Sequence, residues 1–187
     1  NEILLRGKTI TTGYYKKPEA TAAAIDKDGW FHTGDAGYLK GNHLYLTERI
    51  KDLFKTSNGK YISPQALETK LSIDRYIDQI AVIADQRKFV SALIVPVYGL
   101  VKNYAKEKGL EYKDMTDLLQ HPKVQAVFRA RIDTLQQQFA HYEQVKRFTL
   151  LSEPFSMERG ELTNTLKLKR SVVAKNYKEL IDTMYEE

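Results

Sequence analysis

Two β-branched apolar runs, QIAVIAD at 79–85 and VSALIVPV at 90–97, lie close together around a polar turn from Asp85 to Lys88. Such runs favour strands, and so short a connection can only bring the second strand back antiparallel to the first. A hairpin this apolar must be covered, and the stretch from 99 to 145 supplies helices for it. GLVKNYAKEKG reads as a helix stopped at Gly109. HPKVQAVFRARIDTLQQQFAHY carries Val124, Val127, Phe128, Ile132, Leu135 and Phe139 on one stripe at helical spacing, the mark of core packing. VKRFTLL returns to strand. SVVAKNYKELIDTMY closes the chain as a helix with Val173, Tyr177, Leu180, Ile181 and Met184 on one face.

Ahead of the apolar hairpin, SPQALETKL opens a helix with Ser63 as cap, Pro64 at the first position, and Leu67 and Leu71 four apart. KDLFKTSNGKYIS reads as a hairpin turning at Asn58-Gly59. FHTGDAGYL and HLYLTERI form another, turning at Gly41-Asn42, and KKPEATAAAI is a short helix beginning at Pro18. NEILLRG begins at once with the strand-like Ile3, Leu4 and Leu5. Strands and helices do not alternate strictly, so the class is α+β: a short, mainly antiparallel sheet flanked by helices, preceded by a β-rich segment.

Bulk properties exclude more than they assign. At 187 residues with 42% hydrophobic and 28% charged residues, the chain can bury a substantial core. No run of eighteen apolar residues exists to span a membrane. Zero cysteines remove disulfides and thiolate metal sites, which fits the cytoplasm. His32, His43, His121 and His141 show no paired metal spacing and read as structural or solvated. The net charge of +5 suits an anionic partner, whether a nucleotide, nucleic acid or an anionic membrane surface. Nucleic-acid binding has only this charge and twelve tyrosines behind it, with no base-reading helix or aromatic RNA motif.

GYYKKPEATAAAIDKDGWFHTGDAGYL, followed by ERIKDLFKTSNGKYISPQALE and then by ELTNTLKLKR, resembles the adenylate-forming enzymes, and within them the long-chain fatty acid–CoA ligases. The blocks match in order and spacing over essentially the whole chain. The resemblance implies that residues 1–50 end a large adenylation domain and that 51–187 form a small mobile C-terminal domain. It also implies roles. Asp35 of the TGD block would accept hydrogen bonds from the ribose hydroxyls of ATP, two carboxylate oxygens suiting a vicinal diol. Arg49 would contact the same ribose through its planar fork. Glu48 before it stands where many relatives have Gly. Lys51 would be the hinge about which the small domain turns. Gly59 would let backbone border the pantetheine channel of CoA.

Lys167 lies where the resemblance puts the adenylation lysine, with Lys169 and Arg170 assigned to surface or anion-binding roles. Asn164 stands where long-chain relatives often have Pro. Outside this context each residue has an ordinary reading: a turn Asp, a surface Arg, a solvated Lys. The implied substrates are ATP, CoA and a long-chain fatty acid, with Mg2+ held outside these residues and no metal site within them. An acyl-AMP ligase of the same superfamily is the alternative. The chain alone is expected to be inactive, to need a large N-terminal domain as partner, and to allow peripheral membrane contact. Residues 1–50 are expected to be partly disordered or to pack on another copy, their apolar strand being without a partner.

Overall fold

The computed structural model describes residues 2–186, so the expected first strand lacks Asn1, which lies outside them. The chain divides into two compact units, one ending at Leu53 and the other beginning at Phe54.

The first unit is a three-stranded antiparallel sheet in the order β1-β2-β3, with one short helix. β1 (Glu2–Leu5) pairs antiparallel with β2 (Phe31–Lys40), so the expectation of an unpartnered opening strand is corrected: β2 is the central strand, with β1 on one edge and β3 on the other. Gly41 takes the left-handed φ of 61° that its tight turn demands before β3 (His43–Arg49). α1 (Pro18–Ala24) starts on the proline as the sequence suggests. What the sheet lacks is cover. Ala36 is its one buried apolar residue among those described, while Leu39, Leu44, Tyr45 and Leu46 are exposed. A 3-10 turn, Ile50–Asp52, ends the unit.

The second unit is built on β6 (Ile77–Ile83), β7 (Val90–Pro96) and β8 (Val145–Leu150), in that order. Before it come a two-residue ribbon, β4 (Phe54–Lys55) with β5 (Tyr61–Ile62), and helix α2 (Pro64–Leu71). The expected Ser63 cap is present, accepting from the Ala66 amide at 3.3 Å. β6 and β7 pair antiparallel, but β8 runs parallel to β7. That is open to it because α3 (Tyr98–Glu107), α4 (Met115–Gln120) and α5 (Pro122–Leu135) supply the long crossover that parallel neighbours need.

The strand period sorts the core into two halves. Ile80, Val82, Ala92 and Ile94 face one side, against α2 through α5; Ala81, Ile83, Leu93 and Val95 face the other. Because helices cover both faces, β7 is buried at every position, which explains why it is apolar throughout except at Ser91, whose hydroxyl meets that of Tyr185 at 2.8 Å. The second face is covered by Leu151, Phe155 and the C-terminal helices. Here the single closing helix is corrected: it breaks at Tyr177 into α6 (Arg170–Asn176) and α7 (Lys178–Thr183). Val173, Ile181 and Met184 are buried as expected, but the break turns Leu180 outward. Likewise α5 ends at Leu135, so Phe139 packs on the core from the turn beyond it.

Candidate functional site

Each unit carries part of the chemistry that the sequence singles out. In the first, strand register brings Asp35 opposite Arg49, and the Arg49 Nε donates to Asp35 Oδ1 at 3.2 Å. The Arg49 side chain is 71% exposed and that of Asp35 33%, so the pair is held by the sheet yet open to a ligand. Beside it is an open hollow of about 620 Å³, lined by His32, Thr33, Gly34, Arg49 and Lys51 among others. Arg49 lines that hollow, while Asp35 stands next to it in the pair; together a carboxylate and a guanidinium match the acceptor and donor needs of a vicinal diol. Lys51 sits in the 3-10 turn and is exposed.

The strand preceding Asp35 is tied down by two residues with no functional signal in the sequence. Glu2 accepts from the Gly34 amide at 3.0 Å and meets His32 Nδ1 at 2.9 Å, while His32 Nε2 lies 3.7 Å from Asp26. The hydrogen bond that Glu2 accepts from its ring raises the His32 pKa against the opposing effect of burial, and Asp26 adds to the rise. The structural reading of this histidine therefore holds. His121 is structural too, accepting from the Lys123 amide at 3.2 Å as the cap of α5.

In the second unit, Gly59 has φ 74° at the turn of the β4–β5 ribbon, and a Cβ built on it would meet nothing within 4 Å. The glycine is required by backbone conformation, and the space in front of it is open. Lys167 lies in a tight hairpin between Leu162 and Leu168, which form an isolated bridge. Thr163 organises the turn. Its amide donates to the Lys167 carbonyl at 2.8 Å, its carbonyl accepts from the Leu166 amide at 2.8 Å, and its hydroxyl accepts from the Lys167 amide at 3.0 Å. This fixes the Lys167 backbone while its side chain stays exposed. Leu166 adopts a left-handed φ of 59°, rare for a branched residue, and is 68% exposed.

The neighbours of Lys167 divide. Lys169 is exposed, as expected of a surface residue. Arg170 is not a free anion-binding group: it pairs with Glu68 on α2, whose side chain is only 14% exposed and whose other oxygen accepts from the Val82 amide at 2.9 Å. The pairing ties α6 to α2 and to the edge of the sheet. Burial raises the Glu68 pKa, and Arg170 acts against that rise.

Beneath the hairpin lies a group the sequence reading missed. Glu161 is fully buried. Its carboxylate accepts from Arg159 Nε at 3.1 Å to each oxygen, from the Ser156 amide at 2.9 Å and from Asn176 Nδ2 at 3.2 Å. Burial works to raise its pKa, but these donors outweigh it and hold the carboxyl below its ordinary range. A glutamate in a polar, basic stretch reads as a surface acid, so no local signal could have found it.

Residues 51–187 match the AMP-binding enzyme C-terminal domain family. The chain belongs to that family. Over its whole length it is 36% identical to long chain acyl-CoA synthetase 6, peroxisomal, of Arabidopsis thaliana, and it spans 27% of that relative. It is 36% identical to long-chain-fatty-acid–CoA ligase 5 of Rattus norvegicus, with 99% of the chain and 28% of the relative covered. Among solved structures, the adenylation domain of a carboxylate reductase from Mycobacterium chelonae superposes with a TM-score of 0.76 at 26% identity, covering 100% of this chain and 28% of that one. The A-PCP didomain of a carboxylic acid reductase from Segniliparus rugosus, in complex with AMP, gives 0.75 at 26% identity, covering 98% and 24%. The α+β expectation agrees with this family, and neither the nucleic-acid reading nor the acyl-AMP ligase alternative is favoured by it. The chain thus spans little more than a quarter of the curated relatives named here.

Among the described residues no group of three or more His, Cys, Asp or Glu could hold a metal ion, and no helix is long and apolar enough to cross a membrane.

Proposed function

We propose that this chain is the C-terminal part of an ATP-dependent, AMP-forming long-chain fatty acid–CoA ligase. In this reading residues 1–50 complete a large adenylation domain and 51–187 form its mobile cap. The observation that carries it is the end-to-end identity of 36% with proteins named as long-chain acyl-CoA synthetases and ligases. The open Asp35–Arg49 pair and the exposed Lys167 amine support the same reading.

In the first half-reaction a fatty acid carboxylate oxygen bonds to the α-phosphorus of ATP and the bond to pyrophosphate breaks. Asp35 and Arg49 hold the ribose. Lys167 brings a compact ammonium charge to the crowding phosphate oxygens, where a positive group lowers the barrier by stabilising developing charge. It transfers no proton. In the second, the CoA sulfur bonds to the acyl carbon, the bond to AMP breaks, and the Gly59 loop borders the pantetheine arm. Turning about Lys51 exchanges the two arrangements. Magnesium serves the family's use of ATP, but no acid cluster among the described residues fits it, and no step here is assigned to it. A cytoplasmic location suits a chain without cysteine.

The test is incubation of the full-length protein with palmitate, ATP, magnesium and CoA, following acyl-CoA, AMP and pyrophosphate. Acyl-CoA should form with CoA present and acyl adenylate should accumulate without it. Lys167→Ala should abolish adenylation while leaving thioester formation from supplied acyl adenylate largely intact. Equal loss of both steps would assign Lys167 a structural role instead. Residues 1–187 alone should form no thioester.

A further inference from the structure

We propose that Glu161 is the positioning residue for Lys167, fastening the hairpin that presents its amine. This rests on the adenylation role proposed for Lys167 and concerns what holds that lysine in place.

The connection from β8 to α6 has almost no regular structure, yet it must hold an exposed side chain at a defined point. Glu161 joins its parts. Through its side chain it holds the Ser156 amide, the Arg159 guanidinium and Asn176 on α6. Through its backbone it closes the base of the hairpin: its carbonyl accepts from the Lys169 amide at 2.7 Å and its amide donates to the Ser156 carbonyl at 2.9 Å. Arg159 extends the network, donating to the Pro154 carbonyl and reaching Glu153 at 3.3 Å and the Tyr177 hydroxyl at 3.5 Å. The residues before and after Lys167 are therefore referred to one buried carboxylate.

The chemistry of that choice is specific. A buried carboxylate is costly to desolvate unless nearly every lone pair is satisfied, and for stability alone an apolar set in place of the whole Glu161–Arg159 ion pair would often serve as well. A multiply bonded ion, by contrast, restrains direction as well as distance. Above it, the Thr163 hydroxyl and the left-handed Leu166 set the turn. Lys167 is thereby referred to the α6 framework through the base of its hairpin rather than through contacts of its own amine.

The experiment compares the two half-reactions in the full-length enzyme for Glu161→Gln, Lys167→Ala and the double variant. Glutamine keeps the shape but loses the charge and one acceptor. Glu161→Gln should lower adenylation by about 10- to 100-fold, the scale of a displacement of roughly an ångström in a reacting group. Thioester formation from supplied acyl adenylate should change little. The double variant should match Lys167→Ala, keeping thioester formation from supplied acyl adenylate as that variant does, because Glu161 acts through that lysine. Asn176→Ala, an exposed position whose loss leaves the core intact, should give the same selective loss at smaller size, and it covers the case in which Glu161→Gln does not fold. Parallel loss of both half-reactions, full adenylation in a folded Glu161→Gln, or a loss of thioester formation in the double variant that Lys167→Ala does not show would overturn the inference. If Lys167→Ala itself retains adenylation, the reading of Lys167 fails first, and the two failures are distinguishable.

Discussion

Leu166 has an awkward conformation for its residue type. A left-handed backbone costs an L-residue with a Cβ roughly 1–2 kcal/mol relative to the right-handed regions. At φ 59° and largely exposed, Leu166 bears that cost with little burial to offset it. Leu166→Gly would remove the strain while loosening the unfolded chain, effects that oppose each other to within about 1 kcal/mol. The substitution is therefore expected to leave stability unchanged or to raise it by up to about 1 kcal/mol, unlike an ordinary Leu→Gly change, and urea unfolding of residues 1–187 would measure it. The hairpin hydrogen bonds from Thr163 are backbone and hydroxyl bonds, so they persist in that variant. Lys167 stands out in the sequence only through the family resemblance of its stretch, and the hairpin that holds its backbone is visible only in the structure. Glu161 is opaque because its partners come from Ser156, Arg159 and Asn176, whose convergence is tertiary.

At the level of elements, the segment joining β8 to α6 is held at two carboxylates with opposite acid responses. Glu161 has its folded pKa below the ordinary value of 4.5, so its stabilising share is complete above that value and is lost as pH falls through the folded one. Glu68, raised by burial, has the reverse sign: its share is largest below 4.5 and shrinks as pH rises through its folded value. Acid should therefore loosen the Glu161 end of the segment before the Glu68 end. Amide hydrogen exchange below pH 4.5 should show the Ser156 and Lys169 amides losing protection while the Val82 amide, bonded to Glu68, keeps it. The same loss for all three would contradict this assignment. In the first unit, the tight fit lies elsewhere: a Cβ on Gly37 would fall 2.5 Å from the Tyr45 carbonyl oxygen and 2.7 Å from Ile3 Cδ1, so β1 and β3 converge on a site only glycine leaves free.

Taken whole, the molecule is unequal in its two halves. The second unit has a two-faced core around β7, whereas the first has an exposed apolar sheet with Ala36 alone buried among the described residues. Residues 54–187 expressed alone should unfold cooperatively, and limited proteolysis of 1–187 should cut first before Phe54, leaving that piece intact. Mass spectrometry of the products would check the boundary, and early cleavage within β6–β8 would refute it. Much of this organisation is legible in residue order. Hairpins at Gly41-Asn42 and Asn58-Gly59, the Ser63 cap and the apolar stripe of α5 all depend on neighbours within a few positions, so local preference and periodicity reveal them. The pairing of Asp35 with Arg49 was implied by a shared ligand but its contact needed the strand register. Other features required the assembled chain: the parallel docking of β8, the break at Tyr177 that turns Leu180 outward, the Arg170–Glu68 tie, and the burial of Glu161. Each depends on contacts between residues far apart in sequence, whose free energies exceed local preferences only once the strands and helices have closed on a common core.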